Sequence, residues 1–358
     1  MPDRTLVIAE AGVNHNGSSE LALRLVDVAA DAGADVVKFQ TFKAEQLATL
    51  SAAKAQYQIT NVHEAGSQLQ MLRRLELAPV DHHALLERCH TRGIRFMSSA
   101  FDAESLAFID TLDVPAIKIA SGDITCGPLL LQASQLRRPL IVSTGMTTLP
   151  EIEHALGVIA FGLTCDDEPR SRADFEAAYA STAGREALKR NVTLLHCVTQ
   201  YPAPFEAVNL RAMDTMADAF GLPVGYSDHT AGIEVSIAAV ARGAVVIEKH
   251  FTLDRALPGP DHAASLEPEE LKQLVSSIRN VELALGSTIK APANAEASNR
   301  LIVRRSVVAA RAIRRGELLS EEMLACKRPG NGVSPMELWS LLGRPAERDY
   351  KPDEPIER

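Results

Sequence analysis

Two short apolar runs in this sequence end in histidine: Leu222-Pro223-Val224-Gly225-Tyr226-Ser227-Asp228-His229 and Ala244-Val245-Val246-Ile247-Glu248-Lys249-His250. A helix-like stretch, 232–242, lies between them. If both runs are parallel strands joined by that helix, the histidines occupy matching ends of neighbouring strands. Neighbouring strands are about 5 Å apart, so two imidazoles there can share one metal ion. Two protein nitrogens leave several metal positions open for a substrate, the arrangement of a catalytic rather than a structural site. Core packing is the competing explanation for either histidine taken alone.

Two lysines carry the second signal. Lys38 and Lys118 sit inside the apolar runs Val36-Val37-Lys38-Phe39-Gln40 and Ala116-Ile117-Lys118-Ile119-Ala120. An ammonium in such a run is costly unless an anion faces it. The anion is either internal, with Glu10 or Glu248 as partner, or a bound phosphate or carboxylate. The hydroxyls of Ser99, Ser121, Ser143, Thr144 and Ser227 suit a ligand with two or three negative charges. Alone they would say little, because buried Ser and Thr commonly bond backbone.

Such residues need a scaffold that gathers strand ends. Strand-like runs recur at 6–10, 36–39, 95–99, 116–119, 140–143, 193–197, 224–227 and 245–250. Amphipathic stretches at 19–32, 80–92, 104–112, 129–136, 149–160, 210–220, 232–242 and 268–285 alternate with them. This predicts an α/β protein whose residues 1–285 form a closed (β/α)8 TIM barrel. A doubly wound open sheet is the rival fold. Gly12-Val13-Asn14-His15-Asn16-Gly17 is not the Gly-x-Gly-x-x-Gly turn such a sheet carries.

Active sites of these barrels lie at the C-terminal strand ends. Those positions supply Glu10, Lys38 with Gln40 on one strand face, Ser99, and Lys118 followed by Ser121 and Asp123. They also supply Ser143, the run His196-Cys197-Val198-Thr199-Gln200-Tyr201, and Ser227, His229, Glu248 and His250. His196 fits core packing and a pocket wall equally well. Asp261, just before His262 in the loop after strand eight, reaches the pocket mouth. Glu10 fits either a pocket acid or a lysine partner. His15, His63, His82, His83, His90 and His154 read as loop or surface residues and receive no role.

Two segments exceed the repeat. The stretch 41–79 is long, rich in Gln, Glu and Ala, and partly helical by pattern. The stretch 162–190 is polar and charged, and it reads as a surface excursion without chemistry at the opposite barrel face. Residues 286–304 suit a linker, and 305–358 a second small domain. A domain that small leans on the barrel or on a partner subunit.

Acidic residues number 46 against 37 basic ones, a net charge of −9, which argues against a nucleic-acid surface. No apolar run approaches the ~20 residues of a membrane span. Five scattered cysteines without a Cys-x-x-Cys pair suit a reduced, cytoplasmic protein.

The motifs converge on a family. Ile8-Ala9-Glu10-Ala11-Gly12-Val13-Asn14-His15-Asn16-Gly17, Val37-Lys38-Phe39-Gln40-Thr41-Phe42, Ser143-Thr144-Gly145-Met146, Gly225-Tyr226-Ser227-Asp228-His229-Thr230 and Glu248-Lys249-His250-Phe251-Thr252 resemble the sialic acid synthase family. Pro258-Gly259-Pro260-Asp261 and Lys327-Arg328-Pro329-Gly330-Asn331-Gly332 fit it too, and the last segment resembles its antifreeze-like SAF domain. These are the N-acetylneuraminate and N,N′-diacetyllegionaminate synthases.

The resemblance implies metal-dependent condensation of phosphoenolpyruvate with an open-chain N-acylated mannosamine-type sugar, releasing phosphate by C–O cleavage. The acceptor it implies is N-acetylmannosamine or 2,4-diacetamido-2,4,6-trideoxymannose. It implies metal ligation by His229 and His250, usually of Mn2+, with Mg2+ or Co2+ as alternatives. It puts Lys38, Ser99, Lys118, Ser121, Thr199 and Ser227 at phosphoenolpyruvate, with Glu10 beside them. It puts Gln40, Tyr201 and Asp261 at the sugar. It implies a domain-swapped homodimer in which Arg328 serves the partner's site. Three departures bear on roles: Ser98-Ser99-Ala100-Phe101 stands where the family often has Ser-Thr-Pro-Phe, keeping a hydroxyl at Ser99; Asp123 stands where it often has Glu, one methylene longer; and Thr199 stands where some members carry Asn. A pseudaminic acid synthase of the same family and a non-catalytic sugar-phosphate-binding protein are the competing readings.

Overall fold

The computed structural model describes residues 4–62 and 66–357. The chain forms two compact units, Met1–Gly286 and Ser287–Arg358. The first contains, in order, β1 (Leu6–Gly12), α1 (Ser19–Asp31), β2 (Val36–Thr41), α2 (Ala44–Leu47), α3 (Gln56–Val62), α4 (Gln68–Leu75), α5 (Pro79–Arg92), β3 (Arg95–Ala100), α6 (Ala103–Thr111), β4 (Ile117–Ile119) and α7 (Gly127–Gln135). It continues with β5 (Leu140–Ser143), α8 (Leu149–Thr164), α9 (Arg172–Ala180), α10 (Thr182–Asn191), β6 (Val192–Cys197), α11 (Ala212–Phe220), β7 (Val224–Asp228), α12 (Glu234–Ala241), β8 (Val246–His250) and α13 (Pro268–Leu285). Strands β1 to β8 pair in parallel and close into a barrel. The strands lie where the sequence pattern puts them, with ends shifted by up to two residues.

Local chemistry fixes the elements. Ser18 and Asp102 accept backbone N–H bonds at the starts of α1 and α6, satisfying donors that no helical carbonyl can reach. Parallel strands are covered on both faces, which is why β1, β4, β5 and β8 are almost continuously buried.

Inside the barrel, Ile8, Val36, Met97, Ala116, Ile141, Leu195 and Val246 pack as one apolar tier. Strand side chains alternate faces, so the residue two positions on also points inward. Those residues are Glu10, Lys38, Ser99, Lys118, Ser143, Cys197 and Glu248, to which Ser227 adds the eighth strand. Two further on come Gln40, Phe101, Ala120, Thr199, His229 and His250. An apolar floor thus carries a polar, ionisable tier, and a ring with both histidines stands above that.

The 41–79 segment is partly helical, as its pattern predicts, and contributes α2, α3 and α4. The 162–190 segment is more structured than a polar excursion. Helix α8 runs on to Thr164, and α9 packs on it through an edge-to-face contact of Phe161 and Phe175, so apolar burial rather than solvation organises it.

In the second unit the 286–304 stretch carries a short helix, α14 (Ala297–Val303). Beyond it, β9 (Ser306–Ala309) pairs antiparallel with β10 (Leu324–Lys327). Val307, Ile313, Leu319, Tyr350 and Ile356 form that unit's own core. Among the described residues, no helix is long and apolar enough to cross a membrane.

Candidate active site

The polar tier forms a charged ring under the barrel mouth. Glu10 pairs in register with Lys38 on one side and with His250 on the other. Ser227 pairs with both Cys197 and Glu248. Lys38 Nζ lies 2.7 Å from Glu10 Oε2, 3.7 Å from Glu248 Oε2, and donates to Ser99 Oγ at 3.1 Å. Lys118 Nζ lies 3.6 Å from Glu248 Oε1 and donates to Ser143 Oγ at 2.7 Å. Ser227 Oγ donates to Glu248 Oε1, and Gln40 Nε2 to Glu10 Oε1. The internal-pair explanation for the lysines therefore holds, and the ring also opens onto the cavity.

Burial sets the protonation of this ring. It pushes Glu10 up to about 7 against the pull of Lys38. Burial also opposes the charges on Lys38 and Glu248, but opposite charges win: Glu10 and then Glu248 raise Lys38, and Lys118 and then Lys38 lower Glu248. For Lys118, burial outweighs Glu248 and the pKa falls. Glu10 is thus the carboxyl that changes charge most readily near neutrality.

His229 and His250 stand on the next ring, with ring centroids 5.4 Å apart. His229 Nδ1 is 2.7 Å from the Val198 carbonyl, which makes it the N–H and leaves Nε2 with a lone pair. Nδ1 of His250 is buried without a partner. Burial and nearby cationic groups hold His250 well below its usual range, so its ring is neutral. Burial lowers His229 too, but Cys197 beside it outweighs burial and raises it. The free Nε2 of His229 and the unpartnered Nδ1 of His250 are nitrogens that fit a divalent metal. Tyr201 lies against His229 at 4.1 Å between centroids and meets His250 edge-on at 5.5 Å. Tyr57 of α3 lies 5.0 Å from Tyr201.

One glycine is required here. Gly12, at φ +53°, ends β1 where a Cβ would come within 3.2–3.4 Å of Glu10, Gln40 and His250 at once.

A single cavity is lined by Glu10, Lys38, Gln40, Ser99, Lys118, Ser121, Thr199, Tyr201, Ser227, His229, His250 and Asp261, all expected from the sequence. Asp261 is buried, which pushes it up to about 6. Asp123 does not line the cavity; it lies half-buried in the turn after β4, raised to about 6 by burial. Arg328 is exposed in the second unit, after β10.

Several sequence readings change. Thr144 is not a ligand hydroxyl, since its Oγ1 donates to the Leu195 carbonyl. His196 is a packing residue, bonded through Nε2 to the Val208 carbonyl. His15 and His82 are buried rather than on the surface: His15 Nδ1 accepts from the Gly17 N–H, and His82 Nε2 bonds Thr41 Oγ1. Short polar neighbours supply these bonds, which a loop-like sequence conceals. His83, His90 and His154 are exposed, and His63 lies outside the described residues.

Tyr57 is a wall residue that the sequence reading did not place at the site, and Glu248 and Cys197, placed at strand ends without a role of their own, line the wall as well. Glu248 had a signal, because it is two residues before His250 and so shares its strand face. Tyr57 had none, coming from a segment without strand or motif. The neighbouring Asp228 and Lys249 face away from this ring. Asp228 Oδ2 accepts from Ser236 at 2.6 Å and pairs with Lys249 Nζ at 3.1 Å, a buried structural pair.

A closed parallel barrel with a buried lysine–carboxylate ring below two histidines is the architecture of an enzyme site for an anionic substrate. Residues 25–290 match the NeuB family and 304–357 the SAF domain. The chain belongs to the NeuB family. It is 48% identical over 353 residues to the N,N′-diacetyllegionaminic acid synthase of Campylobacter jejuni, covering 99% of each chain. It is 46% identical to the enzyme of that name from Legionella pneumophila, covering 94% of this chain and 89% of the relative. A pseudaminic acid synthase of C. jejuni is more distant, at 31% over 97% of this chain and 94% of its own. Among solved structures, the N-acetylneuraminic acid synthetase of Leptospira borgpetersenii, in complex with citrate, superposes with TM-score 0.65 and 32% identity, covering 83% of this chain and 90% of that one. This chain is accordingly an enzyme of a metal-dependent family that condenses phosphoenolpyruvate with acylated amino sugars.

Proposed function

We propose that the protein makes N,N′-diacetyllegionaminate from phosphoenolpyruvate and 2,4-diacetamido-2,4,6-trideoxymannose. The relatives sharing 46–48% identity carry that synthase name. The observation that carries the reading is the ring of Lys38, Lys118, Glu10 and Glu248 directly below His229 and His250 in one cavity.

Lys38 and Lys118, with Ser99 and Ser143, hold the phosphate and carboxylate of phosphoenolpyruvate, exchanging part of their pairing with Glu10 and Glu248 for the incoming anion. Ser121, Thr199 and Ser227 add hydrogen bonds to the same groups. Gln40, Tyr201 and Asp261 orient the open-chain sugar. His229 and His250 would hold a divalent metal, which we take to be Mn2+ and which would polarise the sugar aldehyde when bound. C3 of phosphoenolpyruvate attacks that carbon, and water adds to the cationic C2. Glu10 is placed to accept the proton of that water. The tetrahedral adduct then loses phosphate by cleavage of its C–O bond.

The active form is a homodimer in which Arg328 reaches the sugar in the partner's barrel. Its five cysteines are free thiols, in keeping with action in the cytoplasm. The deciding experiment measures phosphate release with each of the two candidate sugars, in the presence of phosphoenolpyruvate and Mn2+. Faster turnover of the diacetamido sugar supports the reading. Turnover of N-acetylmannosamine alone replaces it with a neuraminate synthase, and turnover of neither refutes it.

A further inference from the structure

The active-site cavity has two chemically different sides. The ring of lysines, carboxylates and histidines is polar. Over β1–β3 the wall is apolar, built from Val13, Phe101 and three residues of α4: Met71, Leu72 and Leu75. These pack together with Phe42 and Leu47 as one cluster, so the wall is a fixed surface. Helix α4 presents them because positions 71, 72 and 75 share one helix face. A reciprocal Ser67–Gln70 capping box anchors the start of the helix.

Met71 and Leu75 also line a second cavity, of about 170 Å3, whose other walls include Asn16, Gln70, Pro258 and Gly259. Pro260 borders both cavities. That volume exceeds the room one water needs by roughly tenfold. The Met71 and Leu75 side chains are therefore a partition, with the reacting centre on one side and space beyond.

We propose that this α4 wall reads the distal end of the acceptor sugar. It favours a sugar that ends in a methyl group over one bearing a hydroxyl there. This rests on the sugar-synthase reading above and names the residues that choose the sugar. The aldehyde must lie at His229 and His250, which directs the far end of the chain away from the charged ring. A C6 methyl against Leu72 and Phe101 is buried without loss. A C6 hydroxyl there gives up water and meets no acceptor among these side chains. Apolar pockets discriminate by about 10- to 200-fold per such group, which sets the expected scale.

The test compares kcat/KM for acceptor sugars with phosphoenolpyruvate and Mn2+ held saturating. On the wild-type enzyme, 6-deoxy-N-acetylmannosamine should exceed N-acetylmannosamine at least about fivefold. In Leu72→Gln, the ratio of diacetamido-trideoxymannose to N-acetylmannosamine should fall about tenfold or more. Leu72→Met should restore it. Equal wild-type values for the 6-deoxy and 6-hydroxy sugars overturn the proposal, as does a Leu72→Gln ratio equal to wild type. The wild-type comparison decides even if the variant fails to fold. Failure of the underlying reading looks different, since the wild-type enzyme then fails to turn over diacetamido-trideoxymannose at all.

Discussion

The Glu10 carboxylate and the Lys38 ammonium lie 2.7 Å apart on paired strands, both side chains almost wholly sealed from solvent. On the proposed function the pair has two duties. It neutralises a lysine that would otherwise be stranded in the barrel, and it keeps that lysine in place for an anionic substrate. Glu248 repeats the arrangement between Lys38 and Lys118.

The two duties separate by mutation. Lys38→Met leaves Glu10 and Glu248 buried without that cation, and breaking a buried pair from one side costs about 3–5 kcal/mol. Adding Glu10→Gln should return part of the stability in urea unfolding. It should not return phosphoenolpyruvate use, whose kcat/KM stays down by roughly 100-fold or more. Recovery of activity along with stability would show that the lysine only fills a structural place.

His229 and His250 are the groups that fit a metal, so chelation should stop phosphate release and Mn2+ should restart it. His229→Ala should lower turnover by at least ~100-fold while the circular dichroism spectrum is unchanged. Turnover that survives thorough chelation would remove the metal from the reaction.

The barrel was legible because hydrophobic alternation and strand–helix periodicity are local signals. The ring was legible for the same reason: Glu10, Lys38, Lys118 and His250 are each charged or polar interruptions of an apolar run. What escaped was set by distant packing. His15 and His82 look solvated in sequence, and only the folded chain sets them against Phe39 and against Phe96 and Phe108. Asp123 is legible by its place after a strand, and the fold sets it directly after Ser121 and Gly122 of the cavity lining, half-buried in the turn. The α4 wall was invisible, because three apolar residues on a short helix are indistinguishable from ordinary core until the cavity beside them is seen.

Arg328 is exposed at the end of β10, where its guanidinium has no part in the second unit's own core. Arg328→Ala should therefore leave thermal stability near wild type and weaken sugar use. Mixed with a Lys38→Met barrel variant, it should regain a fraction of wild-type turnover, because one class of mixed dimer carries an intact site. Absence of recovery after verified subunit exchange would argue that Arg328 does not act in trans.

His15 and His262 bring a pH dependence of stability that is separate from catalysis. Both are almost wholly buried, and burial lowers each from 6.5 to about 4. Between those values the unfolded chain binds protons that the folded chain refuses, so stability is full above about pH 6.5 and falls as pH drops toward 4. Each residue contributes up to about 3 kcal/mol over that span. His262 shares Thr252 Oγ1 and Asn16 Oδ1, two neutral partners that hold its ring without charging it. Urea unfolding at pH 7.5 and pH 4.5 should therefore show a smaller loss on acidification for His262→Gln than for wild type. Identical losses in the two proteins would mean that other groups, chiefly the buried carboxyls, set the acid limit of this fold.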